Sequence, residues 1–312
     1  MTATPVAAIE LELPIDCTPG KDCFLQNYVD WDKGPGMQDY ACGAETSDGH
    51  DGTDIRLRSV ADVDKGVAVL AAAPGVVVGI RDGKPDRLVR TEDDRAAVGN
   101  QECGNGVRID HGSEWATQYC HMRRGSVAVK VGEHVKAGTK LGEVGYSGMA
   151  AFPHMHIAVS RDMITVDPFL ADVSAACGAE GPSLWSSAAK AKLTYQRGAL
   201  LGLGITDHAL TLVQLEDGVK LGSPRADTPA VAYMWAINLE KGDTLDIALK
   251  KDGDVVVNNT ETLDRSKAQM MLFAGKKAPP GGWPKGSYTA RVTVVRDGKP
   301  VISEETAPVV LD

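Results

Sequence analysis

The sequence predicts an all-β protein built from two domains. Short alternating or apolar runs dominate and are separated by turn residues, whereas long amphipathic helices are scarce; this pattern is typical of strands. Glycine and proline account for 34 and 16 of the 312 residues, so turns are frequent. A chain of 312 residues suits about two domains of roughly 100–200 residues each.

Changes in composition divide the chain into four segments. All six cysteines lie in the first 177 residues, and a stretch rich in alanine and serine surrounds the last of them. We therefore expect an N-terminal extension that packs on the first domain, the first domain itself, a linker and a second domain. Their expected bounds are 1–44, 45–170, 171–192 and 193–312.

The first domain contains several candidate strands, and glycine or proline lies in nearly every gap between them. Lys84–Cys103 is polar, of mixed charge and aperiodic, so we expect an inserted surface loop there. The candidate strands are Val67–Leu70, Val76–Arg81, Val107–Asp110, Thr117–His121, Lys140–Gly145 and His156–Ser160.

The second domain is expected to be an immunoglobulin-like antiparallel β-sandwich. Two of its turns carry an Asp-Gly pair, Asp252-Gly253 and Asp297-Gly298, and this pair between strands indicates a hairpin. We expect its aromatic residues Trp235, Trp283 and Tyr288 to lie in the core. Its candidate strands are Ala230–Leu239, Thr244–Lys250, Asp254–Asn258, Tyr288–Arg296 and Pro300–Glu304.

Charge and hydropathy exclude two classes of partner. The formal net charge is −9, and the longest basic cluster is only Arg123-Arg124, which argues against nucleic acid because phosphate binding needs clustered Lys and Arg. The longest apolar run, Val67–Ile80, is broken by Pro74 and Gly75. It is shorter than the ~20 residues that a bilayer requires, so we expect no membrane span.

The six cysteines indicate an oxidising compartment. None forms a C-x-x-C motif, and their even number favours disulfides over six buried free thiols of a cytosolic protein. The N-terminus has no basic segment followed by an apolar core. We expect a periplasmic or secreted protein whose signal peptide is absent from this chain.

One disulfide follows from a predicted hairpin. Strands Gly106–Asp110 and Trp115–Tyr119 would turn near His111–Ser113, and a register that pairs Arg108 with Trp115 also pairs Cys103 with Cys120. Paired positions hold their Cβ atoms about 4.5–5.5 Å apart, close to disulfide range. The alternative is that Cys103 stays free in the insertion. The other four cysteines allow three connectivities.

Two histidine motifs carry the candidate chemistry. His50 precedes Asp54 by four residues, and His154 and His156 precede an apolar run. Residues i and i+2 of a strand share a face, so His154 and His156 would project into one site. Catalytic zinc takes three ligands from His, Asp and Glu, which His50, Asp54 and one of that pair could supply. The other histidine is then free for proton transfer, and His121 is a further candidate.

The remaining histidines carry no predicted chemistry. We interpret His111 as a turn or surface residue of the predicted hairpin, and we assign no role to His134 or His208.

These motifs resemble those of the lysostaphin-type zinc metallopeptidases, which cut peptidoglycan peptides. The resemblance covers about residues 45–165 and rests on His50-x-x-x-Asp54 and His154-x-His156, on 104–112 (GNGVRIDHG), and on 129–145 (VKVGEHVKAGTKLGEVG), which is similar to the family's barrel-sandwich hairpin. It implies an antiparallel barrel-sandwich fold and one Zn²⁺ per chain. The implied zinc ligands are His50, Asp54 and His156, and the implied catalytic histidines are His121 and His154.

Three functions stay open. The first is a zinc endopeptidase that hydrolyses crosslinks or stem peptides of bacterial peptidoglycan. The second is a non-catalytic scaffold of the same fold that regulates a cell-wall hydrolase. The third is a lipoyl or biotin carrier, which needs a lysine at a hairpin tip, but Lys136 and Lys140 lack such a context. Neither G-x-S-x-G nor H-E-x-x-H occurs. The C-terminal domain would position the substrate or a protein partner.

Overall fold

The structure, a computed structural model, describes residues 9–311. The chain divides into two compact units, residues 1–195 and 196–312. Antiparallel strands dominate both units and helices are few and short, which confirms the predicted all-β class. No helix within the described range is long and apolar enough to cross a membrane.

The described part of the first unit contains ten strands and three short helices. The strands are β1 (Cys23–Asn27), β2 (Thr53–Leu57), β3 (Ala68–Leu70), β4 (Gly75–Arg81), β5 (Asn105–Gly112), β6 (Trp115–Met122), β7 (His134–Val135), β8 (Lys140–Glu143), β9 (His154–Arg161) and β10 (Ile164–Thr165), and the helices are α1 (Val60–Val63), α2 (Glu92–Val98) and α3 (Ser187–Lys192).

Strands β1, β2, β9, β6, β5, β4 and β7 lie side by side in that order in the main sheet, and β10 extends it beside β9. Strands β3 and β8 form a separate pair. Alternation along β9 sends Met155, Ile157 and Val159 into the hydrophobic core. The same alternation leaves His154 and His156 together on the opposite face.

The insertion between β4 and β5 is not wholly a loop as predicted, because it contains α2. Thr91 caps this helix: its hydroxyl accepts a hydrogen bond from the Asp94 amide, and the Asp94 carboxylate accepts one from the Thr91 amide. No residue of the helix is buried. Without an apolar face it leaves no hydrophobic period in the sequence, which is why periodicity missed it.

Segments outside the predicted first domain contribute to its core. Leu11 and Ile15 are buried there, and β1 pairs with β2 at the edge of the main sheet. The segment 171–192, predicted as a linker, lies in the first unit, where Leu184 and Trp185 are buried in the same core.

The hairpin formed by β5 and β6 has a different register from the predicted one. Arg108 pairs with Gln118, three residues beyond the predicted Trp115. The turn lies at Ser113 and Glu114, whose φ angles are 50° and 70°, the conformation of a two-residue hairpin turn. Two register shifts, one at each end of β5, also make the observed pairing differ from the uniform register that was predicted.

All six cysteines form disulfides, as predicted, and Cys103 bonds to Cys120 despite the altered register. Gly104, at φ +60°, turns the chain so that the Cys103 carbonyl accepts a hydrogen bond from the His121 amide at 2.8 Å. The two Cα atoms lie 4.7 Å apart. The remaining pairs are Cys17–Cys23 and Cys42–Cys177.

Replacing Cys103 and Cys120 together by serine is expected to lower the free energy of unfolding by about 3 kcal/mol, because the bond restricts the unfolded chain. Urea unfolding of the wild type and the double variant measures this difference. Non-reducing peptide mapping of the wild type provides the control. Recovery of Cys103 and Cys120 as free thiols, or bonded to other cysteines, contradicts the pairing.

The second unit is an antiparallel β-sandwich. Its strands β11, β12 and β15 form one sheet, and β14, β13, β16 and β17 form another, with β18 beside β16. Their side chains share one core, which contains Trp283 and Tyr288; Trp235 is also buried, as predicted. The bounds are β11 (Ala199–Thr206), α4 (Leu212–Asp217), β12 (Ala230–Leu239), β13 (Thr244–Lys251), β14 (Asp254–Thr262), β15 (Lys267–Lys276), β16 (Gly286–Arg296), β17 (Lys299–Glu305) and β18 (Val309–Leu311).

Candidate active site

Four neighbouring strands place one row of side chains across the main sheet. Asn27 on β1 pairs with Asp54 on β2, Asp54 pairs with His156 on β9, and His156 pairs with Cys120 on β6. Directly paired residues of antiparallel strands point to the same face. Sheet register therefore brings Asp54 and His156 together although 102 residues separate them in sequence.

His50 reaches this row from the loop that precedes β2. Its Nδ1–H donates to the Tyr28 carbonyl at 2.7 Å. The loop is held by Asp30, whose carboxylate accepts from the Gly49 amide and whose own amide donates to the His50 carbonyl. With its proton at Nδ1, neutral His50 presents the lone pair of Nε2, which lies 3.1 Å from Asp54 Oδ2.

His50, Asp54 and His156 together fit a metal ion. Each offers one ligand atom, and all three atoms lie within 4.8 Å of one another. His156 Nδ1 is 2.9 Å from Asp54 Oδ1, and the second Asp54 oxygen also accepts from the Asn27 side-chain amide at 2.8 Å. Two imidazoles and a carboxylate are a donor set that zinc binds in catalytic sites, with ligand bonds of about 2 Å.

Electrostatics favour an ionised carboxylate at the centre of this group. Burial alone would raise the pKa of Asp54, but the adjacent His50 and His154 and hydrogen bonds from His156 and His50 hold it well below its usual range. Burial opposes a charge on His156, yet hydrogen bonds to Asp51 and Asp54 raise the pKa of its ring to about 9. The carboxylates therefore attract positive charge to this position.

His121 faces the same groove because of an unusual backbone conformation. Successive residues of a strand point to opposite faces, so His121 would normally face away from Cys120. At His121 φ is +60°, in the left-handed region, and both residues line the groove. The His121 Nδ1–H donates to the Ser147 carbonyl at 2.8 Å, which leaves Nε2 as a proton acceptor.

His154 lies beside His121, with ring centroids 4.4 Å apart. Its Nδ1–H donates to the Phe152 carbonyl at 2.8 Å, and its Nε2 is 3.5 Å from Asp54 Oδ1. Burial lowers the pKa of His154, and burial together with the neighbouring His154 and His156 lowers the pKa of His121 well below its usual range. Both shifts favour the neutral imidazole, in which Nε2 carries no proton.

The five predicted residues line one groove of about 630 Å³, which we call the histidine groove. The disulfide Cys103–Cys120 lies in its wall. The insertion supplies Arg95 and Glu102 to the same wall, and Phe152 lies next to His154. Sequence reasoning missed these residues and Asn27, because contacts between distant segments leave no local pattern.

Gly52, between His50 and Asp54 of the first motif, is required by close packing. A Cβ atom there would lie 2.5 Å from His156 Nε2 and 2.5 Å from the Ile157 carbonyl. Any larger residue would displace the His156 ring. The glycine in His50-x-Gly52-x-Asp54 was the sequence signal for this contact.

The other histidines lie outside the groove. The prediction placed His111 at a turn or on the surface, but the residue lies on β5. The turn falls two residues later in the chain than expected. Its ring is half-buried and bonds to the Pro74 carbonyl and the Thr117 hydroxyl, both at 2.8 Å. His134 is exposed on β7, and His208 lies in the second unit beside Asp207.

Comparison with known families finds a match within the first unit. Residues 48–168 match peptidase family M23. The matched segment contains all five of the predicted site residues that line the histidine groove. The match confirms the resemblance found in the sequence.

Two curated relatives match short parts of the chain. A peptidoglycan DD-endopeptidase, ShyC, of Vibrio cholerae serotype O1 is 42% identical over 57 residues, which are 18% of this chain and 13% of the relative. An uncharacterized metalloprotease of Buchnera aphidicola is 31% identical over 67 residues, 22% of this chain and 17% of the relative. The chain thus spans less than a fifth of the length of either relative.

Two solved structures are also similar. A zinc-containing peptidase from Vibrio cholerae is 22% identical, and the match covers 56% of this chain and 41% of that one with a TM-score of 0.35. The catalytic domain of the antimicrobial peptidase lysostaphin from Staphylococcus simulans is 21% identical, with 46% and 85% covered and a TM-score of 0.30.

Proposed function

We propose that this protein is a zinc endopeptidase that hydrolyses peptide bonds of bacterial peptidoglycan. The observation that carries the proposal is the convergence of His50, Asp54 and His156 on one point, with His121 and His154 facing the same groove. The match of residues 48–168 to peptidase family M23 supports a peptidase, and a peptidoglycan endopeptidase among the relatives supports the substrate. Non-catalytic scaffolds of the same fold typically lack one or more of these residues, whereas all five positions are filled here, which favours an enzyme over that alternative.

In this proposal His50, Asp54 and His156 hold one zinc ion. When bound, zinc supplies Lewis acidity, which makes a peptide carbonyl more electrophilic and water more acidic. Asn27 keeps the Asp54 carboxylate oriented through its hydrogen bond. The Tyr28 carbonyl fixes the His50 ring, so that Nε2 faces the site.

His121 and His154 would provide acid and base catalysis. Each ring is neutral and has its Nδ1–H anchored on a backbone carbonyl, so each presents an unprotonated Nε2 to the groove. One of these atoms accepts the proton of the attacking water, and the same proton then passes to the departing amine of the cleaved peptide. The other ring orients the water or stabilises the developing oxyanion.

The cellular setting in this proposal is the periplasm or the outside of the cell. Three disulfides need an oxidising compartment, and peptidoglycan lies there. We propose that the second unit positions peptidoglycan or a protein partner.

The test measures zinc content together with the release of soluble fragments from purified peptidoglycan. We expect about one zinc per chain, fragment release, and loss of release after chelation. The far-UV circular dichroism spectrum should change little on chelation, because a unit of this size buries enough core to fold without metal. Zinc-free protein that still releases fragments contradicts the proposal, as does global unfolding on chelation. Zinc binding without fragment release from any peptidoglycan preparation favours the scaffold.

A further inference from the structure

The loop residue Asp51 contacts the ring of His156 on the side opposite to Asp54. Asp51 Oδ1 lies 3.2 Å from His156 Nε2, whereas Asp54 Oδ1 lies 2.9 Å from Nδ1 of the same ring. The ring is thus held between two carboxylates. His156 is buried, and the Asp51 side chain is 65% exposed at the rim of the groove.

The two nitrogens of His156 have different tasks if Nδ1 binds the metal. A neutral imidazole carries one proton, so a ring that gives its Nδ1 lone pair to a metal keeps its proton on Nε2. An Nε2–H group needs an acceptor, and Asp51 provides a charged one. Histidine ligands commonly donate their second ring N–H to a carboxylate, which fixes the tautomer and makes the ligand more basic.

Gly52 supports this contact independently. A Cβ atom at Gly52 would lie only 2.5 Å from His156 Nε2, so the loop can lie this close to the ring only because residue 52 has no side chain. The loop therefore lies directly against the Nε2 edge of the ring, and the residue before Gly52 is the one that can reach this edge.

We propose that Asp51 is a positioning residue for the metal ligand His156: its carboxylate accepts the Nε2–H bond and so commits Nδ1 to the metal. Asp51 is not itself a ligand, since its carboxylate approaches the far nitrogen of the ring. This inference rests on the proposed function, because it requires a metal at His50, Asp54 and His156.

The first test compares zinc dissociation constants, measured by competition with a chromophoric chelator. Asp51→Ala is expected to weaken zinc binding by about 10–100-fold, and Asp51→Glu, which keeps the carboxylate, should restore most of the loss. Asp48→Ala is the matched control, because it removes the same charge from the same loop at the edge of the same groove. Its zinc affinity should stay within about twofold of wild type.

A second test observes directly which nitrogen of the His156 ring carries the proton. In nitrogen NMR of the zinc-loaded protein, His156 should carry its proton at Nε2, and Asp51→Ala should speed exchange of that proton with solvent. The His50 Nδ1–H signal, held by the Tyr28 carbonyl, is the internal control and should not change. A merely structural role for Asp51 would not affect one imidazole proton selectively.

Equal losses of affinity in Asp51→Ala and Asp48→Ala overturn the inference, since they indicate only a change of net charge. Unchanged affinity in Asp51→Ala overturns it too. If the wild type binds no zinc, the proposed function and this inference both fail. If zinc binds and peptidoglycan is cleaved but Asp51 variants match the wild type, this inference alone fails.

Discussion

Replacing His50, Asp54 or His156 by alanine is expected to abolish zinc retention and peptidoglycan hydrolysis together. Their potential ligand atoms lie within 4.8 Å of one another, and in the proposed site each residue would provide one of three protein ligands. If apparent zinc binding free energy is on the order of 10–16 kcal/mol, removing one ligand costs roughly 3–5 kcal/mol, which is about a 10³-fold loss of affinity. Metal analysis after gel filtration and a zinc competition titration measure the loss.

The exposed His134 provides the control for this series. His134→Ala removes an imidazole from the same unit, outside the groove, and should keep both zinc and activity. One result would reverse the assignment within the second motif, His154-x-His156. If His154→Ala lost zinc while His156→Ala kept it, His154 would be the ligand and His156 the free base.

The fold was predictable wherever its elements have a local pattern. The His154-x-His156 motif and the apolar run that follows it indicated a strand, and this segment forms β9. Two other elements were missed. No residue of helix α2 is buried, so it has no hydrophobic period, although the capping pair Thr91 and Asp94 could have revealed it. Strand β2 is only five residues long, and the four alternating residues 54–57 are too short a run to stand out.

The hairpin shows why a correct contact can follow from a wrong register. The prediction paired Cys103 with Cys120 by a uniform alignment, which the structure does not have. Positive φ angles at Gly104 and His121, together with a bulge near the end of β5, return the two cysteines to each other. These conformations depend on tertiary packing, and no residue pattern encodes them.

The candidate site was predictable as a set of residues but not as a geometry. Two short motifs indicated His50, Asp54, His154 and His156, and the structure brings all four into one groove with His121. Their roles stay predictions until the variants are measured. Asn27 could not be found, because its contact with Asp54 arises from the pairing of two distant strands.

Replacing His121 or His154 by alanine is expected to remove most of the activity while zinc stays bound. Neither ring is needed for the three-ligand set, so zinc content should remain near one per chain. Each ring presents an unprotonated Nε2 that can accept a proton, and loss of a general acid or base lowers kcat by about 10²–10⁴-fold. Fragment release from peptidoglycan, measured on preparations of matched zinc content, gives the rate.

The two variants also separate the two roles from each other. The ring that acts as general base should give a variant whose remaining activity rises with pH, because hydroxide increasingly replaces the missing base. The ring that only orients water or stabilises the oxyanion should give a variant whose pH profile keeps the wild-type shape at a lower rate. Loss of zinc in either variant, or activity near that of His134→Ala, would show that the ring has been misassigned.

Because His121 lies in a left-handed backbone conformation, His121→Gly is the companion variant: it relieves φ +60° without restoring the imidazole. Equal rates for His121→Gly and His121→Ala then assign the loss to the missing ring rather than to backbone strain.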